Sequence, residues 1–425
     1  MTQKKLLKRR FFHSLKRGTG EAYLIARDNP TVDFSEYIIK GALENFAYDG
    51  QCESSRAQYI FDINSLSNQQ EKIRSAVLLG IRTHQTDTWS LTQLFDLVKI
   101  YALRGDLEAK QAILDRFLNE TIEGSDWVGR HEILELDGME GLKFIAEKTG
   151  KRLEKDPDDW QNDSIIRYFQ RDNPLLKVMD ELEKASQKNR FIQLYLENVR
   201  RMEENQKNHK QEMVIYKDVI EEVILSKPYI WLVRRKLSDE EVNSVAKQLL
   251  IEKNKHRQEK LLYVFTHYKF PFDSKFILSL AKEKPTYRNR VTEFAIDALQ
   301  FFQSEEIRDF ALEKLKTTSK PEAFVNILVS NYKTGDHQLL TAIAEKFNSE
   351  NTVENLACSY IDIYKSNKTK DCKQPLEIIY GKMNCGIHRN DIVSILVENS
   401  VLSDQIRQEI RYDSHLETRG LFCKM

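Results

Sequence analysis

The chain reads as one short amphipathic helix after another, each closed by a turn, over 425 residues. The clearest pair runs from Arg290 to Phe302 and then from Glu305 to Leu315. In the second member Ile307, Phe310, Ala311 and Leu315 recur at the spacing that gathers apolar side chains into one helical stripe. Ala295, Ala298 and Ala311 lie on those faces and admit a close neighbouring backbone. A single pair cannot cover its own stripe, so each must stack on the next. The expectation is an all-α chain, a solenoid of stacked antiparallel helical hairpins, with roughly two dozen helices.

Turn chemistry agrees. Fifteen glycines and eight prolines in 425 residues fall below the usual shares of about 7% and 5%, too few for a sheet protein of this length. Asp49-Gly50 and Asp137-Gly138 lie between helical segments, where they read as caps or turns and not as hairpin loops. There is no run of eighteen apolar residues, so no membrane span is expected. The first ten residues lack the apolar core and cleavage site of a secretory signal. Five widely spaced cysteines, an odd number, read as free thiols in a reducing, cytoplasmic setting.

Charge is zero overall but polarised. Residues 1–20 carry seven Lys/Arg and no acid, whereas residues 21–160 carry 16 basic against 26 acidic side chains, a balance of −10. Leu7, Phe11, Phe12 and Leu15 share one face of the basic head, flanked by Lys4, Lys5, Lys8, Arg9, Arg10, Lys16 and Arg17. This is a capping helix with its apolar side inward, or a basic amphipathic helix meeting nucleic acid, an anionic surface or an acidic partner.

Four segments follow from the pattern: an N-terminal hairpin array over 1–122, a Gly- and acid-rich irregular insertion over 123–160, polar middle helices over 161–256, and a second regular array over 257–425. Ile73-Arg-Ser-Ala-Val, Ile307-Arg-Asp-Phe-Ala-Leu and Ile406-Arg each open a helix with a β-branched residue and an arginine. They resemble the second helix of a HEAT repeat, in the HEAT- and armadillo-type α-solenoid superfamily. That resemblance implies a right-handed solenoid in which the arginine reaches back to tie its own pair together.

Several constellations are candidates for function. Tyr48-Asp49 through Arg56 has an echo in Tyr412-Asp413 through Arg419, either capped turns or a polar ridge exposed to a partner. Trp127, Arg130 and His131 follow Asp126 in the insertion. Trp127 suits an aromatic anchor with Arg130 as its charged neighbour, and His131-Glu-Ile-Leu-Glu135 matches a zincin helix only superficially. Cys372, Cys385 and His388, with Cys358 and Cys423 on either side, contain only one close ligand pair, so buried free thiols are the default reading and no metal is assigned. Trp89, Trp160 and Trp231, with Tyr229 and the run Arg234-Arg235-Lys236, invite comparison with helical-repeat DNA glycosylases. No catalytic carboxylate can be pointed to, and no phosphate-binding loop or nucleophile elbow is present. The expected function is a non-enzymatic, cofactor-free scaffold, a subunit or adaptor of a larger assembly. It would bind a protein partner through the solenoid groove, with Tyr48, Asp49, Arg56, Trp127, Arg130 and His131 as contact residues. The alternative is a nucleic-acid-binding helical-repeat protein using Arg9, Arg10, Trp231, Arg234, Arg235 and Lys236.

Overall fold

The computed structural model describes residues 2–53, 55–83, 87–119, 127–159, 161–208, 216–225 and 235–423, the side chains of 205–208 excepted. Among the described residues there are 25 α-helices and no strand. None of these helices is long and apolar enough to cross a membrane. The chain divides into two compact units, Met1–Glu212 with Arg407–Met425, and Met213–Ile406.

In the first unit α1 (Gln3–Arg17), α2 (Glu21–Asp28), α3 (Ser35–Leu43), α4 (Ala57–Asn64), α5 (Gln70–Thr83), α6 (Thr88–Leu103), α7 (Leu107–Leu118), α8 (Arg130–Lys155), α9 (Ser164–Asp172), α10 (Val178–Ser186) and α11 (Arg190–Asn208) follow in order. The starts of α6 and α7 are set by short acceptor side chains. Asp87 accepts from the backbone amides of Trp89 and Ser90 at the head of α6, and Asp106 accepts from that of Ala109 at the head of α7. The apolar stripes turn inward: Phe11 and Leu15 of α1, Ile38 and Ala42 of α3, and Ile73, Val77 and Ile81 of α5 are all buried in one core. Each such large side chain contributes about 1.5–3 kcal/mol on burial. Where helices cross most closely the sequence supplies glycine. A Cβ added to Gly150 of α8 would lie on the Phe191 carbonyl oxygen of α11.

Within the segment 123–160, residues Arg130–Lys155 form two helical stretches joined across a kink, the second of which contains Leu142–Lys148. Only Gly138 leaves the helix, at φ 54° and ψ −125°. Glycine alone adopts such a backbone at little cost, so Asp137-Gly138 is a turn between two helical stretches, as its sequence suggests, and the two run on from one another across the kink.

The last residues of the chain pack on the first helices. The Ser414 amide donates to the Gly18 carbonyl at 2.7 Å, Arg419 Nη1 meets Asp62 Oδ2 at 2.7 Å, and the Tyr412 ring stacks on Tyr23 at 3.9 Å. Gly18 turns there at φ 73°. Stacking of each hairpin on the next in sequence does not supply these contacts.

The second unit has its own core, from Val223 to Ile327. Here the helix Glu305–Leu315 places Arg308 against Asp336, the first residue of the helix Asp336–Lys346, in two bonds of 2.7 Å. Arg308 also donates to the Asn331 carbonyl at 2.6 Å. Arg74 of α5 does the same in the first unit, reaching Asp106 at 2.6 and 2.9 Å and Glu108 at 2.9 Å. Both arginines therefore reach forward past the intervening helices to a later helix start. Neither bond is the expected tie back within a pair; each aspartate also accepts a backbone amide, from Ala109 for Asp106 and from Lys333 for Asp336. Arg407, the third such arginine, is exposed.

Arg308→Ala strands a buried carboxylate and is expected to cost about 3–5 kcal/mol, whereas Arg74→Ala, at a wetter pair, costs about 1 kcal/mol. Urea denaturation followed by circular dichroism checks the ranking, and equal losses would contradict it.

Candidate functional site

The two echoed Tyr-Asp motifs meet at the corner between α1 and α2, but their arginines turn inward. Arg56 is only 3% exposed. Its Nη1 donates to the Lys16 carbonyl at 2.6 Å, and Nη2 to Glu53 Oε2 at 3.4 Å. Glu53 in turn accepts from the amides of Tyr48 and Asp49. Asp49 accepts from Gln51 and Cys52, and these bonds, that to the Cys52 side chain first, hold its carboxyl below the usual carboxylate range. Asp413 is fully buried. Of the two readings of this motif the capped turn holds for Arg56 and Asp413: Glu53 pairs with Arg56 and Asp413 accepts from the His415 amide, and a guanidinium with carbonyl and carboxylate acceptors on its inner side gains more there than in water. Tyr48 and Asp49 remain at the surface.

The surface part of that motif lies beside the second predicted cluster. Gly50 is packed so closely on Trp89 that an added Cβ would meet its ring at 2.7 Å. The Trp89 ring lies 6.0 Å from that of Trp127, which is 39% exposed. Gly129, at φ 88° and pressed against the Phe95 ring, makes the turn that presents Trp127 before α8. Arg130 Nη2 donates to Gln161 at 3.3 Å. The His131 ring sits edge-on to Tyr168 at 4.3 Å, and desolvation lowers its pKa. Glu135 is paired with Lys99 at 2.9 Å. Among the described residues His131 joins no metal-type cluster. Asp126 lies outside the described residues.

Of the basic residues, Arg10 is engaged by Glu21 at 2.6 Å, with Phe11 and Leu15 of the same helix turned into the core. Arg9 and Lys236 are exposed, and Arg235 is held by Glu222 and Glu241. Trp231 and Arg234 lie outside the described residues, as do Trp160 and Tyr229.

In the second unit the cysteines separate. Cys372 is buried in a short 3-10 turn and Cys423 belongs to the first unit. Cys358, Cys385 and His388 come together and bring Glu354 with them. Glu354 and Cys358 are four residues apart on the helix Glu350–Ser366, hence on one face. Cys385 precedes the helix Gly386–Glu398, whose first turn carries His388. His388 Nε2 faces Cys358 Sγ at 3.4 Å, and Nδ1 faces Glu354 Oε2 at 2.9 Å. Hydrogen bonding to Cys358 first, then to Cys385 and Glu354, pushes the imidazole pKa up to about 12 despite its burial. Glu354 escaped the sequence reading; the readable signal was its four-residue spacing from Cys358, on a helix ready to face Cys385-x-x-His388.

Cys358 also lines a groove of about 640 Å³ with Asp297, Glu322 and Asp362. Burial first, then Glu293, raises the Asp297 carboxyl to about 6. Burial likewise raises Asp362, and Glu322 Oε2 is buried with no hydrogen-bond partner.

Comparison with protein-family models, with curated proteins and with solved structures returned no match.

One buried carboxyl predicts a pH effect. Glu132 of α8 is 7% exposed, and burial, with the neighbouring Asp96 carboxylate second, pushes it up to about 7 from 4.5. A raised acid pKa means that the folded state holds the proton more tightly. The stabilisation is therefore complete below pH 4.5 and is lost as pH rises through about 7. Glu132→Gln is expected to flatten that decline, measured as the thermal midpoint from pH 4.5 to 8. A slope unchanged in the variant would refute the assignment.

Proposed function

We propose that this chain is a non-enzymatic interaction scaffold, built as a HEAT-like, right-handed α-solenoid and serving as a subunit or adaptor that binds a protein partner. The observation that carries this reading is the aromatic patch of the first unit. Trp127 and Trp89 lie ring against ring, with the Tyr48–Gly50 turn packed beside them. Tyr48 is 41% and Trp127 39% exposed. Large, rigid aromatic rings lose little rotamer freedom on binding and release much water, which is why they dominate protein interfaces. Asp49 and Arg130 supply charge of both signs beside the patch, as an interface rim requires. The ties from Arg74 and Arg308 to a helix start further along the chain are the kind of contact by which successive helical units of a stacked array hold one another.

For the nucleic-acid alternative, two of its four described residues, Arg10 and Arg235, are engaged by carboxylates. Phosphate contact would have to displace those partners.

The test is capture of partners by the full-length protein from its own host lysate, with and without nuclease, run in parallel with Trp127→Ala, Tyr48→Ala and the distant surface variant Leu175→Ala. A stoichiometric protein partner is expected to survive nuclease. Its affinity should fall about thirtyfold in Trp127→Ala, the loss of one interface anchor of about 2 kcal/mol, and stay unchanged in Leu175→Ala. Recovery of nucleic acid without a stable protein partner, falling steeply with salt, would overturn the scaffold reading.

A further inference from the structure

Three ligand-type side chains converge on the two ring nitrogens of His388: Cys358 stands at Nε2, Glu354 at Nδ1, and Cys385 is close by. Two thiols, a carboxylate and an imidazole have no apolar reason to converge between two packed helices. They are the ligand types that zinc takes.

The geometry is partly assembled. One ring nitrogen of His388, Cys385 Sγ and a carboxylate oxygen of Glu354 all lie within 4.8 Å of one another. Zinc sits about 2.0–2.1 Å from nitrogen, 2.0–2.2 Å from carboxylate oxygen and 2.3 Å from sulfur, so its tetrahedral ligands stand roughly 3.3–3.8 Å apart. His388 Nδ1 and Glu354 Oε2, now 2.9 Å apart, would have to part slightly and the longer separations in the set close by up to about 1 Å, both within the reach of small side-chain rotations. Glu354 is already aimed. It is 3% exposed, and its Oε1 accepts from the amides of Asn384 and Cys385 at 3.3 and 3.0 Å, which fixes the carboxylate and leaves Oε2 pointing at the ring. Cys385 is held by its place at the start of the helix Gly386–Glu398. Cys358, on the far nitrogen, fixes the tautomer and the plane of the ring, the service that an outer partner gives a metal-bound histidine.

We propose that Glu354, Cys385 and His388 bind one divalent zinc-type ion, with Cys358 as the positioning residue on the opposite ring nitrogen. Thiolate among the ligands disfavours magnesium and calcium, and imidazole with carboxylate is the mixed set that zinc accepts. Three protein ligands leave a fourth position for water or an incoming group. On binding, the Cys385 thiol and the His388 nitrogen each give up any proton they carry to solvent, so uptake releases protons and weakens as pH falls. The inference is independent of the scaffold reading, since the aromatic patch belongs to the other unit.

The experiment uses full-length protein purified in reductant without chelator. Elemental analysis is expected to find about one zinc per chain. After removal of the metal, Co²⁺ should restore a thiolate-to-metal charge-transfer band, which a merely hydrogen-bonded cluster would not show. Competition with a chromophoric chelator measures Zn²⁺ affinity in variants checked for helix content by circular dichroism. Cys385→Ser, His388→Gln and Glu354→Gln are expected to lose at least a hundredfold, Cys358→Ser about 10–100-fold, and Cys372→Ser and Cys423→Ser nothing. Absence of both zinc and the cobalt band in the wild-type protein would overturn the site whatever the variants do. Full loss in Cys358→Ser with Glu354→Gln intact would overturn the ligand assignment.

Discussion

A helix of ten or so residues cannot shelter its own apolar stripe, and this chain is made of little else. Every stripe must therefore be covered by another helix, and the distance of that approach governs the rest. Where a side chain would keep two helices apart the sequence carries glycine: Gly150 under the Phe191 carbonyl, Gly80 under Leu43, and Gly20 under the Glu409 carbonyl. Interiors are packed at crystal-like density, so these positions act as spacers of zero thickness. The two buried cores, Phe11 to Val199 and Val223 to Ile327, are the sum of many such pairwise closures.

Covering stripes does not by itself choose which helix lies against which. Polar ties do part of that. Arg308 and Arg74 each clasp the aspartate at a later helix start, a bond that works only if that helix arrives in one orientation. At the α1–α2 corner the choice is made by buried backbone groups instead. Arg56 caps the Lys16 carbonyl, Tyr59 the Thr19 carbonyl at 2.8 Å, and the Ser414 amide the Gly18 carbonyl. Carbonyls exposed by the turn after Arg17 would otherwise be buried without partners, at a cost of about 1–3 kcal/mol each. The C-terminal segment is thereby part of the same polar corner as the first helix.

Much of this was legible in the residues. The all-α class, the scarcity of turns and the inward face of α1 follow from local spacing and composition, which the sequence states directly. The direction of the Arg308 and Arg74 ties was not, because a side chain's partner depends on which helix lies opposite. Nor was the helical stretch from Arg130 up to the Gly138 kink, since a Gly- and acid-rich run signals a loop as readily as a kinked helix. Trp127 and Tyr48 were singled out separately, and only the packing of Gly50 on Trp89 makes them neighbours. Cys385 and His388 were visible as a close pair, while Glu354 and Cys358 sit about thirty positions earlier and become relevant only when two helices meet.

By itself, then, the sequence determined what depends on neighbours within a turn or two: helix starts and stops, the faces to be buried, and the residue types able to bind metal or anchor a partner. The tertiary structure alone decided which of those residues meet. It joined Cys358 and His388 and set Cys372 aside, buried Arg56 and left Tyr48 outside, and brought Arg419 to Asp62 across the length of the chain. The physical reason is that helix periodicity is a local property of the backbone. A contact between distant residues is settled by the balance of burial, close approach and polar satisfaction over all the helices of a unit together.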